Sequence, residues 1–582
     1  MSLYSAWKVN KEEVVAENGI VTSALPLSAE AGLSILKAGG NAIDAAVAIG
    51  FCNIVQEPYM ASIGGMGYML IHLAEKAKTI GVDFNGRAPQ GTTDEMYDVI
   101  GPSTGAGYKT FDVVDDANNS GPLSATVPAT CAGFCEAHKR FGNLPFEQVL
   151  EPAIALASKG FEANWYLTMS AANMHDTFDS DPQLSSVWLP GGKVPKSHPK
   201  PGTRIIQKDL AHLLQNLAKK GRDAMYSGDV AEAIDEHMKK GGGVLRKKDL
   251  EDYQPVVGQT ANTNFAQYSV NVVNTPSGGI TNLQTLNILN NFDLKNMGHN
   301  TTEYLHTFMM SARHAFADRF GYLGDWEHHK IPINGLLSPL YAKEIAKEVH
   351  NPTFEIRHLG EREPLVEFME NPIHDPWAYD TNQKVPVPSH PAMDTNDEDT
   401  THINVVDKDR NAVSCTHTGV FAKGLNPSGT GVAMVGGMGW FIPKPGYPNS
   451  MAPWKRPMNN MSPFMVLENN RPVLLQGAPG ARRIMNRNAQ VILNVLVFGM
   501  SPQEAIIQPV VDVSGRKTFV DSRMNPSTVN SLLDLGHDID LLEEEPAPTG
   551  YFARPSAIQI DHEKNILKAG VDSYRPTTAL GY

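Results

Sequence analysis

Residues 399–407 read DTTHINVVD, and the chain changes character at this point. A polar segment rich in proline ends there and alternating polar and apolar residues begin, which predicts a strand that starts at the threonine pair. A threonine hydroxyl becomes a nucleophile when its residue is the N-terminus of a chain, because the freed α-amine then acts as its general base. Cleavage between Asp399 and Thr400 would create that arrangement. The alternative interpretation is the ordinary β-propensity of threonine.

A β-hairpin is predicted directly after the threonine pair. Residues 402–406 and 412–418 alternate around the polar turn 407–411. In this register Thr400 lies opposite Thr418, with Cβ atoms about 4.5–5.5 Å apart.

The sequence pattern divides the chain into four regions of different predicted structure. The segment before Thr400 reads DPWAYDTNQKVPVPSHPAMDTNDED, which has no periodicity and predicts a flexible linker. The regions are an α/β part over about 1–145, a helical part over about 146–375, the linker 376–399 and a β-rich part over 400–582, where a second hairpin is predicted at 557–561 and 566–571.

Apolar spacing predicts the regular elements of the first two regions. Ser28 is expected to cap one helix and Asn41 the next, which covers 42–55. Glycines at 64, 65 and 67 precede a strand instead of opening a helix, so close backbone approach is predicted there and a phosphate loop is not. The other predicted elements are strands at 19–24, 68–73 and 268–273, helices at 146–159, 209–220, 231–240 and 302–320, and a helix start at Ile280.

Composition excludes several classes of function. The formal net charge of −14 disfavours binding to nucleic acid or to an anionic membrane surface. The sequence has no run of about 18 apolar residues that would indicate a membrane span. The N-terminal stretch shows no apolar signal region, so a cytoplasmic protein is expected, or a periplasmic or secreted one if a leader was removed.

No metal or organic cofactor is expected. His328-His329 is interpreted as part of a polar surface loop, because adjacent side chains point in different directions and no second histidine follows at metal-binding spacing. The four cysteines are expected to be buried, reduced thiols. They are Cys52, Cys131, Cys135 and Cys415.

Short motifs along nearly the whole chain resemble, in order and spacing, those of the γ-glutamyltranspeptidase family of N-terminal-nucleophile hydrolases. They are GGNAIDAAVA at 39–48, GGMGYML at 64–70, PSGGI at 276–280, LNILNNFD at 286–293, ADR at 317–319, YLGD at 322–325, TTH at 400–402, VVD at 405–407, KRP at 455–457, MSP at 461–463, GAPG at 477–480 and the terminal GY.

The resemblance implies an α+β fold, the N-terminal-nucleophile hydrolase four-layer αββα sandwich, with an additional helical region. It also implies a precursor cut before Thr400 into a large subunit, 1–399, and a small subunit, 400–582, that stay associated. Thr400 would be the nucleophile and Thr418 the threonine that hydrogen-bonds its hydroxyl. Gly480 and Ala481 would supply the oxyanion-hole N–H groups, if the backbone angles permit alanine at 481.

The side chains that hold the amino-acid end of a γ-glutamyl group in this family are replaced. The substrate-binding positions are Asn85 in place of an arginine, with Arg87 two residues later; Val420 in place of an asparagine; Trp440 in place of an aspartate; and Asn459 and Asn460 in place of a serine pair. Arg87 is near enough to restore one positive charge. A substrate with an acidic acyl group and no α-amine is therefore a further alternative.

The sequence thus predicts a self-processing γ-glutamyltranspeptidase-like amide hydrolase or acyltransferase. It would act on a small-molecule amide, with water or an amine as acceptor, and a homo-oligomer is compatible with it. One alternative is a non-glutamyl amidase similar to the cephalosporin acylases, since the recognition side chains differ. A second alternative is an unprocessed binding protein on a former enzyme scaffold.

Overall fold

The chain folds into a mixed α/β structure in the computed structural model, which describes residues 9–102, 111–258, 260–351, 371–382, 384, 400–419, 424–515, 517–548 and 550–582. Asp399 and Val420 lie outside these residues, as does most of the predicted linker. At the linker's predicted start, Pro376–Tyr379 forms a 3₁₀ turn in which Trp377 is buried. The packed part of the chain therefore extends beyond the predicted boundary at 376, because an apolar side chain anchors it.

Two seven-stranded sheets dominate the described residues. The strands in chain order are β1 (Val14–Ala16), β2 (Ile20–Ser23), β3 (Met66–Leu73), β4 (Lys78–Phe84), β5 (Val99–Pro102), β6 (Phe111–Val113), β7 (Phe161–Glu162), β8 (Arg204–Ile205), β9 (Val256–Val257), β10 (Thr260–Phe265), β11 (Tyr268–Val273), β12 (Thr401–Val406), β13 (Ala412–Thr418), β14 (Phe464–Glu468), β15 (Arg471–Gly477), β16 (Val511–Asp512), β17 (Thr518–Asp521), β18 (Ile539–Leu542), β19 (Ser556–Asp561), β20 (Ile566–Val571) and β21 (Thr578–Gly581).

Each large sheet combines strands from before and after residue 399. Sheet I has the order β21-β2-β12-β13-β3-β4-β9, and sheet II the order β1-β20-β19-β15-β14-β11-β10. The hairpin β12–β13 thus lies between β2 and β3 in the middle of sheet I. The two sheets contact each other through β12 and β13 on one side and β15 and β19 on the other.

Helices pack against both sheets. In chain order the α-helices of the described residues are α1 (Pro26–Lys37), α2 (Ala42–Gln56), α3 (Thr130–Phe141), α4 (Phe146–Lys159), α5 (Trp165–Asn173), α6 (His175–Asp179), α7 (Pro182–Trp188), α8 (Lys208–Lys220), α9 (Asp223–Tyr226), α10 (Gly228–Lys240), α11 (Lys247–Asp252), α12 (Gly279–Leu289), α13 (Leu294–Met297), α14 (Thr302–Tyr322), α15 (Ile333–Leu336), α16 (Pro339–Glu348), α17 (Arg483–Leu496), α18 (Pro502–Ile507) and α19 (Pro526–Asp534). No helix within the described ranges is long and apolar enough to cross a bilayer.

Two apolar cores follow from this packing. Helices α1 and α2 pack against sheet I, and every residue of α2 is buried, as its small apolar composition predicts. Helices α12, α17 and α18 pack against sheet II, where a second apolar cluster forms. The four cysteines are buried free thiols, which confirms their predicted state.

Local capping explains where the first two helices begin. The Asn41 side chain accepts hydrogen bonds from the N–H groups of Ile43 and Asp44, both at 3.0 Å, which confirms the predicted cap. The prediction that Ser28 caps α1 is wrong. The helix begins at Pro26, whose fixed φ suits the first helical position, and Ser28 lies buried inside it.

Candidate active site

Thr400 lies at the entrance of β12 and is buried, as is Thr418 at the end of β13. The two strands pair antiparallel with Thr401 opposite His417, which confirms the predicted hairpin register. Continuing that register by one residue sets Thr400 opposite Thr418, so the two side chains share one face of sheet I.

Met66 on β3 connects this pair to the predicted pocket, although no sequence pattern had marked it as a site residue. Met66 pairs with Thr418 across the sheet. Its Sδ atom lies 3.7 Å from the Nδ2 of Asn459, one of the predicted substrate-binding side chains. A Cβ on Gly65 would collide with the Thr418 carbonyl oxygen, which confirms the predicted close backbone approach at these glycines.

The Met66 methyl group also touches two further parts of the predicted pocket. A Cβ on either Gly86 or Gly437 would lie closer than 3 Å to Met66 Cε. Gly86 follows Asn85, and Gly437 begins the 3₁₀ turn that ends at the half-buried Trp440. The structure therefore brings the chain segments that carry Asn85, Trp440 and Asn459 close to Met66.

Arg87 does not turn into the pocket, contrary to the option that the sequence left open. Its Nη1 and Nη2 donate to the two carboxylate oxygens of Glu327 at 2.8 and 3.2 Å, and Nη1 also donates to the Trp454 carbonyl at 2.9 Å. Glu327 lies 3.2 Å from Arg456 as well. The charge of Arg87 is thus matched within the protein. Asn85 is buried and donates from Nδ2 to the Pro457 carbonyl at 2.7 Å.

The Asn459-Asn460 pair is held by donors of the protein. Asn459 Oδ1 accepts from the Met461 N–H at 2.9 Å. Asn460 Oδ1 accepts from Arg319 Nη2 at 2.9 Å, and the same nitrogen donates to the Asn459 carbonyl at 2.7 Å. Both side-chain carbonyls are therefore occupied.

Gly480 and Ala481 form a turn between β15 and α17 with backbone angles in the left-handed half of φ, +137° and +53°. Alanine adopts the second angle at a cost of about 1 kcal/mol, so the backbone permits alanine at position 481. Within the described residues, neither N–H has a protein acceptor. A Cβ on Gly477, where β15 ends, would collide with the ring of His402, which places this turn next to the start of β12. Two unused N–H groups before a helix suit a developing oxyanion.

A chain of buried amides fixes this turn relative to the asparagine pair. Gln476 Nε2 donates to Asn488 Oδ1 at 2.7 Å, and Asn488 Nδ2 donates to the Ser462 carbonyl at 2.9 Å. Ser462 Oγ donates to Asn282 Oδ1 at 3.3 Å, and Asn282 Nδ2 donates to the Met485 carbonyl at 2.6 Å. Such connected hydrogen bonds rigidify a site, so the turn and the pair keep one geometry.

Glu57 is a further residue that the sequence interpretation missed. It follows α2, is fully buried and makes a hydrogen bond with Thr401, whose Oγ1 also accepts from Asn53 Nδ2 at 3.4 Å. Burial raises the pKa of Glu57 from 4.5 to about 8, while Thr401 and Arg554 act in the opposite direction. A carboxyl with a raised pKa therefore lies beside Thr401, the residue after the predicted nucleophile. An acidic residue directly after a mainly apolar helix was the available signal.

His402 is not a general base for Thr400. Its Nδ1 is 2.8 Å from Thr416 Oγ1 and its Nε2 is 3.1 Å from Asn404 Oδ1, so both nitrogens are engaged. Burial lowers the pKa of His402 to about 3. The α-amine that cleavage would free remains the base that this arrangement supplies.

Comparison with known proteins identifies relatives of this chain. The sequence profile of the Gamma-glutamyltranspeptidase family matches residues 28–582. A glutathione hydrolase proenzyme of Pseudomonas sp. (strain A14) is 33% identical over 524 residues, covering 87% of this chain and 84% of the relative. The acylase ACY 1 proenzyme of Pseudomonas sp. (strain SE83) is 33% identical over 532 residues, covering 91% and 88%.

A solved structure extends the similarity to the whole fold. The crystal structure of a cephalosporin acylase from Bacillus halodurans superimposes with a TM-score of 0.81 at 25% identity, covering 100% of this chain and 99% of the other. Since a profile match of this length accompanies relatives above 30% identity, the chain belongs to the γ-glutamyltranspeptidase family.

Proposed function

We propose that the chain is a self-processing amide hydrolase or acyltransferase with Thr400 as its nucleophile. In the precursor, Thr400 Oγ attacks the carbonyl carbon of residue 399, and the peptide bond becomes an ester as the Thr400 α-amine is released. Water then hydrolyses the ester, which leaves chains of 399 and 183 residues.

The same atoms serve turnover. Thr400 Oγ attacks the substrate amide carbonyl, its proton passes to the α-amine, and the Gly480 and Ala481 N–H groups stabilise the oxyanion. The C–N bond breaks as the leaving amine takes that proton, and an acyl-enzyme ester remains. Water or a second amine attacks the ester and restores the threonine hydroxyl. The role of Thr418 is to hold the Thr400 hydroxyl.

The register of β12 and β13 is the observation that carries this proposal. It sets Thr400 against Thr418 immediately before a buried strand, where a new chain terminus would remain in place. Because β2 and β3 flank this hairpin, strands from both products share sheet I, which supports subunits that stay together after the cut. We infer the four-layer αββα arrangement on the same basis, since helices pack on each of two sheets that contact each other.

A non-glutamyl acyl group is the second candidate for the substrate. Asn85 brings no charge to the position of the family's arginine, and Arg87 is paired with Glu327 at 2.8 Å. A γ-glutamyl group carries a carboxylate and an ammonium on one carbon, and burying either without a partner is costly. The acylase relatives make this candidate concrete, and Trp440 and Val420 would add apolar surface.

Electrophoresis and N-terminal sequencing test the proposal. Purified protein should give two bands, and the smaller should begin Thr-Thr-His-Ile-Asn-Val. Thr400→Ala should stay uncut, whereas Thr401→Ala, the matched control, should still be cut. Processed enzyme should hydrolyse at least one of γ-glutamyl, glutaryl and aryl-acetyl anilides.

Two outcomes would contradict the proposal. An intact chain that hydrolyses these anilides would remove the need for cleavage. An intact chain without turnover would support the alternative of a binding protein on a former enzyme scaffold.

A further inference from the structure

A cavity of about 370 Å³ lies between α7, the start of α8 and the segment 426–433. No described residue of the candidate active site lines this cavity. Its volume falls within the range of about 300–1,000 Å³ that is usual for the binding sites of small organic molecules. The cavity is therefore a candidate binding site apart from the proposed reacting centre.

The walls of this cavity are tied to one another. Asn426 Nδ2 donates to Asp181 Oδ2 at 2.8 Å, and the other carboxylate oxygen of Asp181 caps the start of α7. A Cβ on Gly431 would collide with the backbone of Leu210, so the segment 426–433 packs closely on α8. The cavity is thus formed by fixed elements before any ligand arrives, as is usual for small-molecule sites.

The interior of the cavity is apolar. Buried side chains reach it from α2, from the loop after α2, from α7 and from the segment 426–433. They are Ile54, Ile63, Leu184, Trp188 and Val432. An aromatic or branched aliphatic group placed among them would remove its own surface and theirs from water, which favours binding. The interior therefore suits a ligand with a large apolar part.

Two side chains of opposite charge lie at the entrance. Lys208 and Asp209 are consecutive residues in the first turn of α8, both are exposed, and both line the cavity. Neither side chain has an ion-pair or hydrogen-bond partner among the residues that the structure describes. A ligand with a carboxylate and an ammonium on one carbon can pair with both, through charge-assisted hydrogen bonds. The entrance therefore matches a zwitterion.

The inner wall contributes a polar atom of its own. Ser62 lines the cavity and is 1% exposed, and its Oγ has no hydrogen-bond partner within the described ranges. Buried hydroxyls without a partner are rare, and a polar ligand atom that reached this wall would satisfy it. A Cβ on Gly419 would collide with the same Oγ, and the Gly419 N–H donates to the Met60 carbonyl at 3.1 Å. Since Gly419 follows Thr418, this wall adjoins the strand end of the proposed reacting centre.

We propose that this cavity binds a small zwitterion with a large apolar group, the chemistry of a free apolar α-amino acid. The side chain fills the interior, the α-carboxylate pairs with Lys208 and the α-ammonium pairs with Asp209. An ammonium held by a carboxylate is protonated and cannot attack an ester. The ligand therefore does not act as the acyl acceptor from this position, and the inference goes beyond the proposed function.

Calorimetry with L-phenylalanine and three partial analogues tests the chemical class. The analogue 3-phenylpropionate lacks the ammonium, 2-phenylethylamine lacks the carboxylate, and glycine lacks the apolar part. L-Phenylalanine should bind the purified protein. Each analogue with a single charge should bind about tenfold more weakly, as expected for the loss of one charge-assisted hydrogen bond. Glycine should give no measurable binding. Equal affinities for L-phenylalanine and 3-phenylpropionate would overturn the inference.

Variants at the entrance locate the site. Lys208→Gln and Asp209→Asn should each raise the Kd for L-phenylalanine about tenfold. Ser186→Trp should abolish binding, because Ser186 lines the cavity and a large side chain there would fill the entrance. Lys219→Gln is the matched control, since Lys219 is an exposed residue in the last turn of α8 that is not among the lining residues. Its Kd should equal that of the parent protein. Unchanged binding in Lys208→Gln or in Ser186→Trp would overturn the inference.

Thermal unfolding separates lost binding from lost folding. Without ligand, all four variants should unfold close to the parent Tm, because each altered side chain is exposed. L-Phenylalanine should raise the Tm of the parent and of Lys219→Gln, and it should not raise that of Ser186→Trp. An equal rise in Ser186→Trp would place the ligand elsewhere and refute the assignment. These measurements need no turnover, so their outcome is independent of the proposed function.

Discussion

Replacing Glu57 by glutamine should stabilise the protein, and more so as the pH rises. The buried carboxyl has a pKa of about 8 in the fold against 4.5 when exposed. Between these values the folded protein holds a proton that the unfolded chain has lost. The free energy of unfolding therefore falls with rising pH across this window. Below about pH 4.5 the group contributes no pH dependence, and above about pH 8 the full loss remains but no longer grows.

The size of the effect follows from the same two pKa values. At pH 7 the exposed carboxyl is ionised and the buried one is protonated, a difference that costs the parent protein about 3 kcal/mol. Glutamine is neutral in both states and close in shape to the protonated acid, so its variant escapes this cost. The advantage of Glu57→Gln should be near zero at pH 4.5 and grow by about 1.4 kcal/mol per pH unit.

Thermal unfolding between pH 5 and 8 measures this difference. Both proteins should carry Thr400→Ala, so that one intact chain is compared, and the gap in Tm should widen with pH to a few degrees. Glu327→Gln is the control and should lower Tm, because it leaves Arg87 without its 2.8 Å partner. If Glu57→Gln also lowers Tm and the deficit grows with pH, then Glu57 is ionised and paired with Arg554, and the reasoning is wrong.

Substitutions at three further positions test the proposed reacting centre and the pocket. Thr418→Val should be processed but lose about tenfold or more in kcat, as expected for the loss of one hydrogen bond to the reacting hydroxyl. Thr418→Ser should recover this kcat. Full activity of the valine variant would contradict the proposed role of Thr418. Ala481→Gly should change both Tm and kcat little, because relief of about 1 kcal/mol of left-handed strain is offset by the greater entropy of glycine in the unfolded chain. A loss of kcat above tenfold would mean that the Ala481 methyl group contributes to catalysis. Asn85→Arg should lower Tm through overpacking of about 1–3 kcal/mol at a buried position and should give no γ-glutamyl turnover, so a gain of that turnover would reject the altered pocket.

The hairpin that carries the proposed reacting centre could be predicted because its geometry is local. Strand alternation has a period of two, and a five-residue turn fixes which residues face each other, so Thr400 and Thr418 could be paired from spacing alone. The Asn41 cap was equally local. Ser28 was misassigned because two signals lay within three residues, and the fixed φ of Pro26 decided the start of the helix.

The pocket could not be predicted in the same way because its contacts join distant parts of the chain. Arg87 and Glu327 are 240 residues apart, and Arg319 and Asn460 are 141 apart. No spacing rule relates such residues, and each arginine is equally able to serve a substrate until its partners are known. Met66 was overlooked for the same reason, since an apolar residue in a buried strand carries no local mark of function.

The difference between a locally formed hairpin and a pocket formed by distant segments has a consequence for how acyl specificity can change. The proposed nucleophile, its threonine neighbour and the proposed oxyanion turn depend on one hairpin and one helix start. The partners of the arginines depend on single side chains that approach from several elements, so exchanging one partner alters which arginine is left unmatched.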